Sequence, residues 1–518
     1  MGDEISSRSF TREQRVKYRH KVRRCLDVFA EMLAHHRFEE SASLTGLEIE
    51  LNLVNFDGLP AMKNAQVLEA IADPAFQTEL AKYNIELNVP PAPMPGNAVF
   101  TLENNLRAAL DHADERARSG GSAIAMIGIL PTLRPEHLTG DWMSANPRYQ
   151  ALEEAVFAAR REDIELDISG PEPLQMYTST IAPESACTSV QLHLQVSPTD
   201  FAPAWNAAQL LVGPQLALGA NSPYLFGHRL WAETRIELFL QATDTRSPEL
   251  RNQGVRPPVF FGDNWITSIF DLFEENVSFF PALLPECTDE DPEAQLAAGR
   301  TPRLQELRLH NGTIYRWNRP IYDVVDGKPH LRVENRVLPA GPTVADTIAN
   351  AAFYYGAMEM LAAEDRPTWT RMSFAAAEEN FTAGARDGVE ATMYWPGYGS
   401  VPWDELVLRH LLPLAAEGLT RRKVSQDVID HYLQIIETRC KLRRNGAAWQ
   451  VETVEALEGG GMNREAALHK MLELYLERMH SNEPVHTWDL PTWGPRLRPT
   501  RTGGGGGVGG ARAGGPCC

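Results

Sequence analysis

Cysteine is scarce in this chain. Six occur in 518 residues, at positions 25, 187, 287, 440, 517 and 518, and none forms a CxxC pair. That argues against a zinc ribbon or a thiol-redox motif and fits a reducing compartment, the cytoplasm. Long apolar runs are missing too. The longest, around SAIAMIGIL at 122–130, is too short to cross a bilayer. The polar N-terminus, MGDEISSRSFTREQRVKYRHKVRR, does not read as a secretory signal. Positive charge is in deficit: 49 Lys and Arg stand against 68 Asp and Glu, a net charge of -19. This disfavours nucleic acid or an anionic membrane surface as a general partner. Small anionic substrates remain admissible where metal ions or local Arg residues offset the field. No GxxxxGK[ST] loop, no GxGxxG after a strand and no GxSxG elbow occurs. P-loop, Rossmann, protein-kinase and serine-hydrolase sites therefore have no support.

What remains is an ordinary globular composition, 43% hydrophobic and 23% charged, with ample material for a core. Residues 1–43 are expected to form an N-terminal helical segment, with Val16, Val22, Leu26, Phe29 and Leu33 at roughly helical spacing. Residues 44–345 carry short alternating segments between helical stretches at 101–120 and 146–162, and read as a mixed strand-and-helix region. The acidic, Pro-punctuated stretch 283–302 reads as an exposed loop. From 346 to 494 apolar residues recur at three- and four-residue spacing, as in helices. The tail 495–518 is Gly-rich and of low complexity, and is expected to be disordered.

The informative pattern is an alternation with an unusual polar side. In GLEIELNL (46–53), Leu47, Ile49, Leu51 and Leu53 point one way; Glu48, Glu50 and Asn52 point the other. The two carboxylates stand about 7 Å apart on one strand face with no cation in the stretch. The pattern repeats. YNIELNVP (83–90) sets Glu86 and Asn88 opposite Ile85, Leu87 and Val89. SVQLHLQV (189–196) sets Gln191, His193 and Gln195 opposite four apolar residues. HLRVENRVLP (330–339) sets Arg332, Glu334 and Arg336 opposite Leu331, Val333 and Val337. ETRIELFL (233–240) reads as a fifth strand, with Arg235 and Glu237 on its polar side.

Each residue alone has a commoner structural reading. Glu48 and Glu50 suit a solvated strand face, His193 a satisfied histidine, and Glu334 between two Arg an ion-pair ladder. Together they lack the Lys, Ser and Thr that usually fill a wet face. Carboxylates with one imidazole suit Mg2+ or Mn2+ rather than zinc. Crowded carboxylates repel one another unless cations intervene. Arg forks suit phosphate oxygens or a substrate carboxylate. The set thus suits phosphoryl transfer from a metal-bound nucleotide.

At these residues the chain resembles the glutamate–cysteine ligase type 2 family of carboxylate–amine ligases, which share the fold of glutamine synthetase and the guanido kinases. The family's G-x-E-x-E strand is similar to Gly46-Leu47-Glu48-Ile49-Glu50, and its V-E-I-type strand to Ile85-Glu86-Leu87. Its H-V-H-V-G strand resembles Gln191-Leu192-His193-Leu194-Gln195, with Gln in place of the first His and of the Gly. Its S-S-P segment resembles Ala220-Asn221-Ser222-Pro223-Tyr224, and its E-x-R is Glu334-Asn335-Arg336. Where it has a His-Pro element, this chain has Leu130-Pro131.

The resemblance implies an α+β fold, an antiparallel sheet shaped as an active-site funnel and backed by helices, with residues 44–345 as the ATP-dependent ligase catalytic core. It implies ATP, Mg2+ or Mn2+, and an acyl phosphate attacked by an amine. Glu48, Glu50, Glu86, His193 and Glu334 would hold metal. Arg336 and Arg235 would act in catalysis, and Arg332, Gln191 and Gln195 would contact the nucleotide. The substrates would be small molecules, glutamate with cysteine or another amino-acid pair, and the oligomeric state stays open. Two other readings of the same sheet remain: a guanido-kinase-like phosphotransferase, and an inactive scaffold that binds a partner.

Overall fold

The computed structural model describes residues 10–35, 38, 39 and 43–491. The Gly-rich tail and its Cys517-Cys518 pair lie outside the described residues. The centre of the molecule is a seven-stranded antiparallel sheet: β1 (Thr45–Val54), β2 (Phe76–Thr78), β3 (Asn84–Ala92), β4 (Ala123–Ala125), β5 (Val190–Val196), β6 (Asn318–Val325) and β7 (Lys328–Asn335). The order is β6-β7-β5-β1-β3-β2, with β4 pairing the end of β1 that β5 leaves free. The expected α+β class and antiparallel sheet are both observed.

One face of this sheet is oil. Leu47, Ile49, Leu51 and Leu53 of β1, Ile85 and Leu87 of β3, Leu192 and Leu194 of β5, and Leu331 and Val333 of β7 are all buried. They point away from the acidic face because side chains alternate along a strand. Behind the sheet run the helices Phe201–Gly219 and Val344–Ala362, buried on nearly every side. A helix apolar all round belongs in a core, which is why these two show no polar stripe. The second is pinned to the back of the sheet by Tyr355, whose hydroxyl lies 3.0 Å from the His193 carbonyl and 3.2 Å from that of Gly46.

The helices predicted from periodicity are found at Arg12–Ala34, Ala98–Ser119, Pro147–Arg160 and Arg464–Ser481. Inside the loop expected at 283–302, a short helix Pro292–Ala297 forms, started by the Asp291 cap and by Pro292 at the first position. The larger correction is ETRIELFL. It is not a fifth strand but the helix Thr234–Ala242. Its buried Arg235, Leu238 and Ala242 follow a three- and four-residue spacing that competes with the alternation. No helix among the described residues is long and apolar enough to cross a membrane.

Candidate active site

The acidic face of the sheet is assembled by strand register. Glu50 of β1 lies opposite Glu86 of β3, and Glu48 lies opposite Gln191 of β5 and Asn88 of β3. Glu334 of β7 lies opposite His193 of β5 and Arg319 of β6. Polar residues far apart in the chain thus form a row running across the strands. A one-residue slip would turn any one set into the core, so the oily face fixes the register of the acidic one.

Two trios result. In the first, ligand atoms of Glu48, His193 and Glu334 lie within 4.8 Å of one another. In the second, Glu50 and Glu86 are joined at the same closeness by Glu79, which directly follows β2. All five residues expected to hold metal fall in one trio or the other; Glu79 is new.

The trios are linked by hydrogen bonds. Arg319 grips Glu334 with two N–H groups, at 2.7 and 2.8 Å. Arg336 also donates to Glu334 and, at 2.5 Å, to Gln191 Oε1. Gln191 Nε2 donates to Glu50 at 3.0 Å, and the Ser189 backbone N–H reaches the other Glu50 oxygen at 2.6 Å. Gln191 thereby joins the first trio to the second.

The electrostatics of the trios differ. Burial alone would push the Glu48 and Glu334 carboxyls up. The His193 imidazole brings Glu48 down to about 2, and Arg319 and Arg336 hold Glu334 well below the usual carboxylate range. The second trio has less compensation. Burial pushes Glu50 up, with Glu86 adding to it and Arg336 opposing. Burial and the neighbouring Glu86 and Glu50 charges push Glu79 well up. Three carboxylates crowded away from water need a proton or another cation.

The donor set fits a divalent ion. His193 Nε2 is buried and stands 3.1 Å from Glu48 Oε1, so an imidazole nitrogen and a carboxylate oxygen face one another as candidate ligand atoms. Carboxylate oxygens with a single imidazole are ligands for Mg2+ or Mn2+.

Two cavities open on this face. One is lined by the second trio with Glu184, Arg148, Tyr315, Cys187, Gln191 and Arg336. The other is lined by the first trio with Arg308, Asp323 and Arg332. Gly312 and Arg319 line both and mark where they meet. Arg332 sits 3.3 Å from His193 Nδ1 and 2.9 Å from His330 Nε2.

Two expected residues stand elsewhere. Arg235, carried on a helix rather than a strand, is 3% exposed; its guanidinium is paired with Glu233 at 3.0 Å and donates to the Val337 carbonyl. It braces the backbone next to Arg336 from behind. Gln195 lies two residues beyond His193 along β5, opposite Arg332, and its amide reaches the Glu39 carbonyl at 3.4 Å. Neither lines the two cavities.

Among the residues that sequence reasoning missed, Arg319 carried a signal: it alternates with Pro320 and Tyr322 in the strand NRPIYDVV. Glu79 and Glu184 carried none, since one follows a three-residue strand and the other sits in a one-turn helix, Ala182–Ala186.

A family model described as glutamate-cysteine ligase family 2 (GCS2) matches residues 44–428. The fold is similar to that of glutamate–cysteine ligase from Francisella tularensis, solved in complex with AMP, with a TM-score of 0.54 over 86% of this chain and 90% of that one, at 13% identity. It is also similar to a bifunctional glutathione synthetase from Pasteurella multocida, with a TM-score of 0.51 over 88% of this chain and 55% of that one, at 11% identity. At these identities the likeness is one of fold. No curated protein matches the chain in sequence.

Proposed function

The chain belongs to glutamate-cysteine ligase family 2, and from that membership and the acidic face we propose an ATP-dependent carboxylate–amine ligase that works through an acyl phosphate. The favoured carboxylate is that of glutamate or a similar amino acid, and the favoured amine that of cysteine or another amino acid. The observation that carries this reading is the pair of trios, Glu48–His193–Glu334 and Glu50–Glu79–Glu86, side by side on one sheet face. The AMP in the Francisella structure supports an adenine nucleotide as the phosphoryl donor.

A carboxylate is a poor acylating agent because its oxygen leaves badly. Transfer of the terminal phosphoryl group of ATP to that oxygen releases ADP and turns it into phosphate, which leaves when the amine nitrogen attacks the carbonyl carbon. Divalent ions held by the two trios would neutralise the phosphoryl oxygens during transfer. Arg336 and Arg319 present fixed guanidinium groups beside the trios, where they can meet charge that develops on the phosphoryl group. Rigid strands hold these side chains in place, so the enzyme contributes position and preorganised charge. The buried floor of the cavities limits water, which would otherwise hydrolyse the mixed anhydride.

The test is product analysis with Mg-ATP and a panel of amino acids, hydroxylamine standing in for the amine. A hydroxamate with equal ADP and phosphate is expected. ADP with a stable phosphorylated product would mean a kinase, and AMP with pyrophosphate would mean adenylation; either would overturn the proposal.

A further inference from the structure

Two charged side chains in the cavity of the second trio stand on helices rather than on the sheet or its strand ends. Glu184 stands on the one-turn helix Ala182–Ala186, and Arg148 in the first turn of the helix Pro147–Arg160. Both line the cavity that Glu50, Glu79 and Glu86 floor. Both charges act on the hydroxyl of Tyr315, which lines the same cavity: Glu184 pushes its pKa up and Arg148 pulls it down, though burial is the larger cause of its rise. Arg148 also marks the junction of the two cavities. A Cβ built on Gly312, the glycine common to both, would lie 3.6 Å from its Nη2.

The cavity wall therefore offers one anion and one cation carried on helices outside the sheet. Burial, with the Glu50 charge adding to it, pushes the Glu184 carboxyl up to about 7, the Tyr315 hydrogen bond and the positive charge of Arg336 falling short of offsetting it. A carboxylate under-compensated in this way gains from an ammonium group brought close to it. A guanidinium at a cavity junction matches the two oxygens of a carboxylate. A molecule carrying both groups on one carbon is an α-amino acid.

We propose that Glu184 and Arg148 recognise the non-reacting end of the amino-acid substrate, Glu184 taking its α-ammonium and Arg148 its α-carboxylate, while its distal carboxylate faces the second trio. This assignment rests on the ligase reading above and makes the two residues specificity determinants rather than members of the catalytic set.

The experiment measures ADP release by the full chain with Mg-ATP and hydroxylamine. Three donors are compared: L-glutamate, glutarate, which lacks the α-ammonium, and 4-aminobutyrate, which lacks the α-carboxylate. If L-aspartate is the better donor, its analogues succinate and 3-aminopropionate are used. Wild type should favour the full amino acid over each analogue by about 10- to 100-fold in kcat/KM, as charged hydrogen bonds left unmade would require. Glu184→Gln should lose that factor on L-glutamate and keep its rate on glutarate. Arg148→Met should lose it on L-glutamate and keep its rate on 4-aminobutyrate. KM for ATP should stay within about twofold in both, a split that general damage to the fold would not produce. A Glu184→Gln protein that still discriminates against glutarate, or an Arg148→Met protein that falls equally on 4-aminobutyrate, overturns the assignment. Wild type that activates the analogues as well as the amino acid overturns it too and leaves the ligase reading standing. No ADP release by wild type with any donor overturns both.

Discussion

Arg319 holds Glu334 across the β6–β7 ladder with two parallel hydrogen bonds, Nε to Oε2 at 2.7 Å and Nη2 to Oε1 at 2.8 Å. The carboxylate is 1% exposed, so its charge depends on cations that the fold supplies. Arg336 remains on Glu334 when Arg319 is removed. Arg319→Met should therefore cost about 2 kcal/mol of stability in EDTA, less than the loss of a sole partner. Mg2+ or Mn2+ should restore part of it, because a bound ion would replace the missing cation. Urea unfolding with and without the ion checks both, and unchanged stability in EDTA would show that the pair is not what keeps Glu334 ionised.

Gln191 is an uncharged link between the trios, and its amide is oriented at both ends: Oε1 accepts from Arg336 and Nε2 donates to Glu50. Gln191→Leu leaves both partners in place but breaks the link. The expected outcome is a fall in kcat of about tenfold or more with the fold intact. Arg336→Lys, which keeps the charge and loses the fork, should also lower kcat while leaving the Mg2+ dependence largely unchanged. A mutant at Arg336 that merely needed more Mg2+ would place that residue among the metal-holding groups.

Glu48→Gln tests the first trio. The change is nearly isosteric, so folding should survive, as circular dichroism would report. Nucleotide turnover should fall by roughly 100-fold or more if the carboxylate holds an ion. Wild-type turnover would remove Glu48 from the proposed set.

Glu79→Gln tests the second trio through pH. Burial and two like charges raise the Glu79 pKa in the folded chain. A carboxyl raised on folding favours the folded state below its unfolded value of about 4.3, and that contribution is lost as pH rises through the folded value. At pH 7.5 without metal, the crowded carboxylates should thus weaken the protein. Glu79→Gln should melt higher than wild type in EDTA at pH 7.5, with a smaller gain from Mg2+ and much lower activity. Thermal scans at pH 5 and 7.5, each with and without Mg2+, resolve this. A variant that melts below wild type in EDTA at pH 7.5 would mean that the three carboxylates are not crowded as anions.

Much of the sheet could be read along the chain. Side chains alternate with a period of two, so Ile49 between Glu48 and Glu50, or Leu192 between Gln191 and His193, declares a strand with one oily and one acidic face. Composition then motivates the chemistry proposed for that face, because carboxylates with one imidazole suit hard cations. The segment 233–240 escaped this logic. Ile236, Leu238 and Leu240 satisfy alternation while Arg235, Leu238 and, just beyond the segment, Ala242 satisfy a helix, and only packing chose between them. Partnership across the sheet was equally beyond local pattern. That Glu334 faces His193 and Arg319, and that Glu79 rather than Arg235 joins the acids, follows from register and from where short connections end. Those are long-range facts, decided when the oily faces of separate strands are buried together. Periodicity records which way a side chain points; only the folded sheet decides which other side chain it meets.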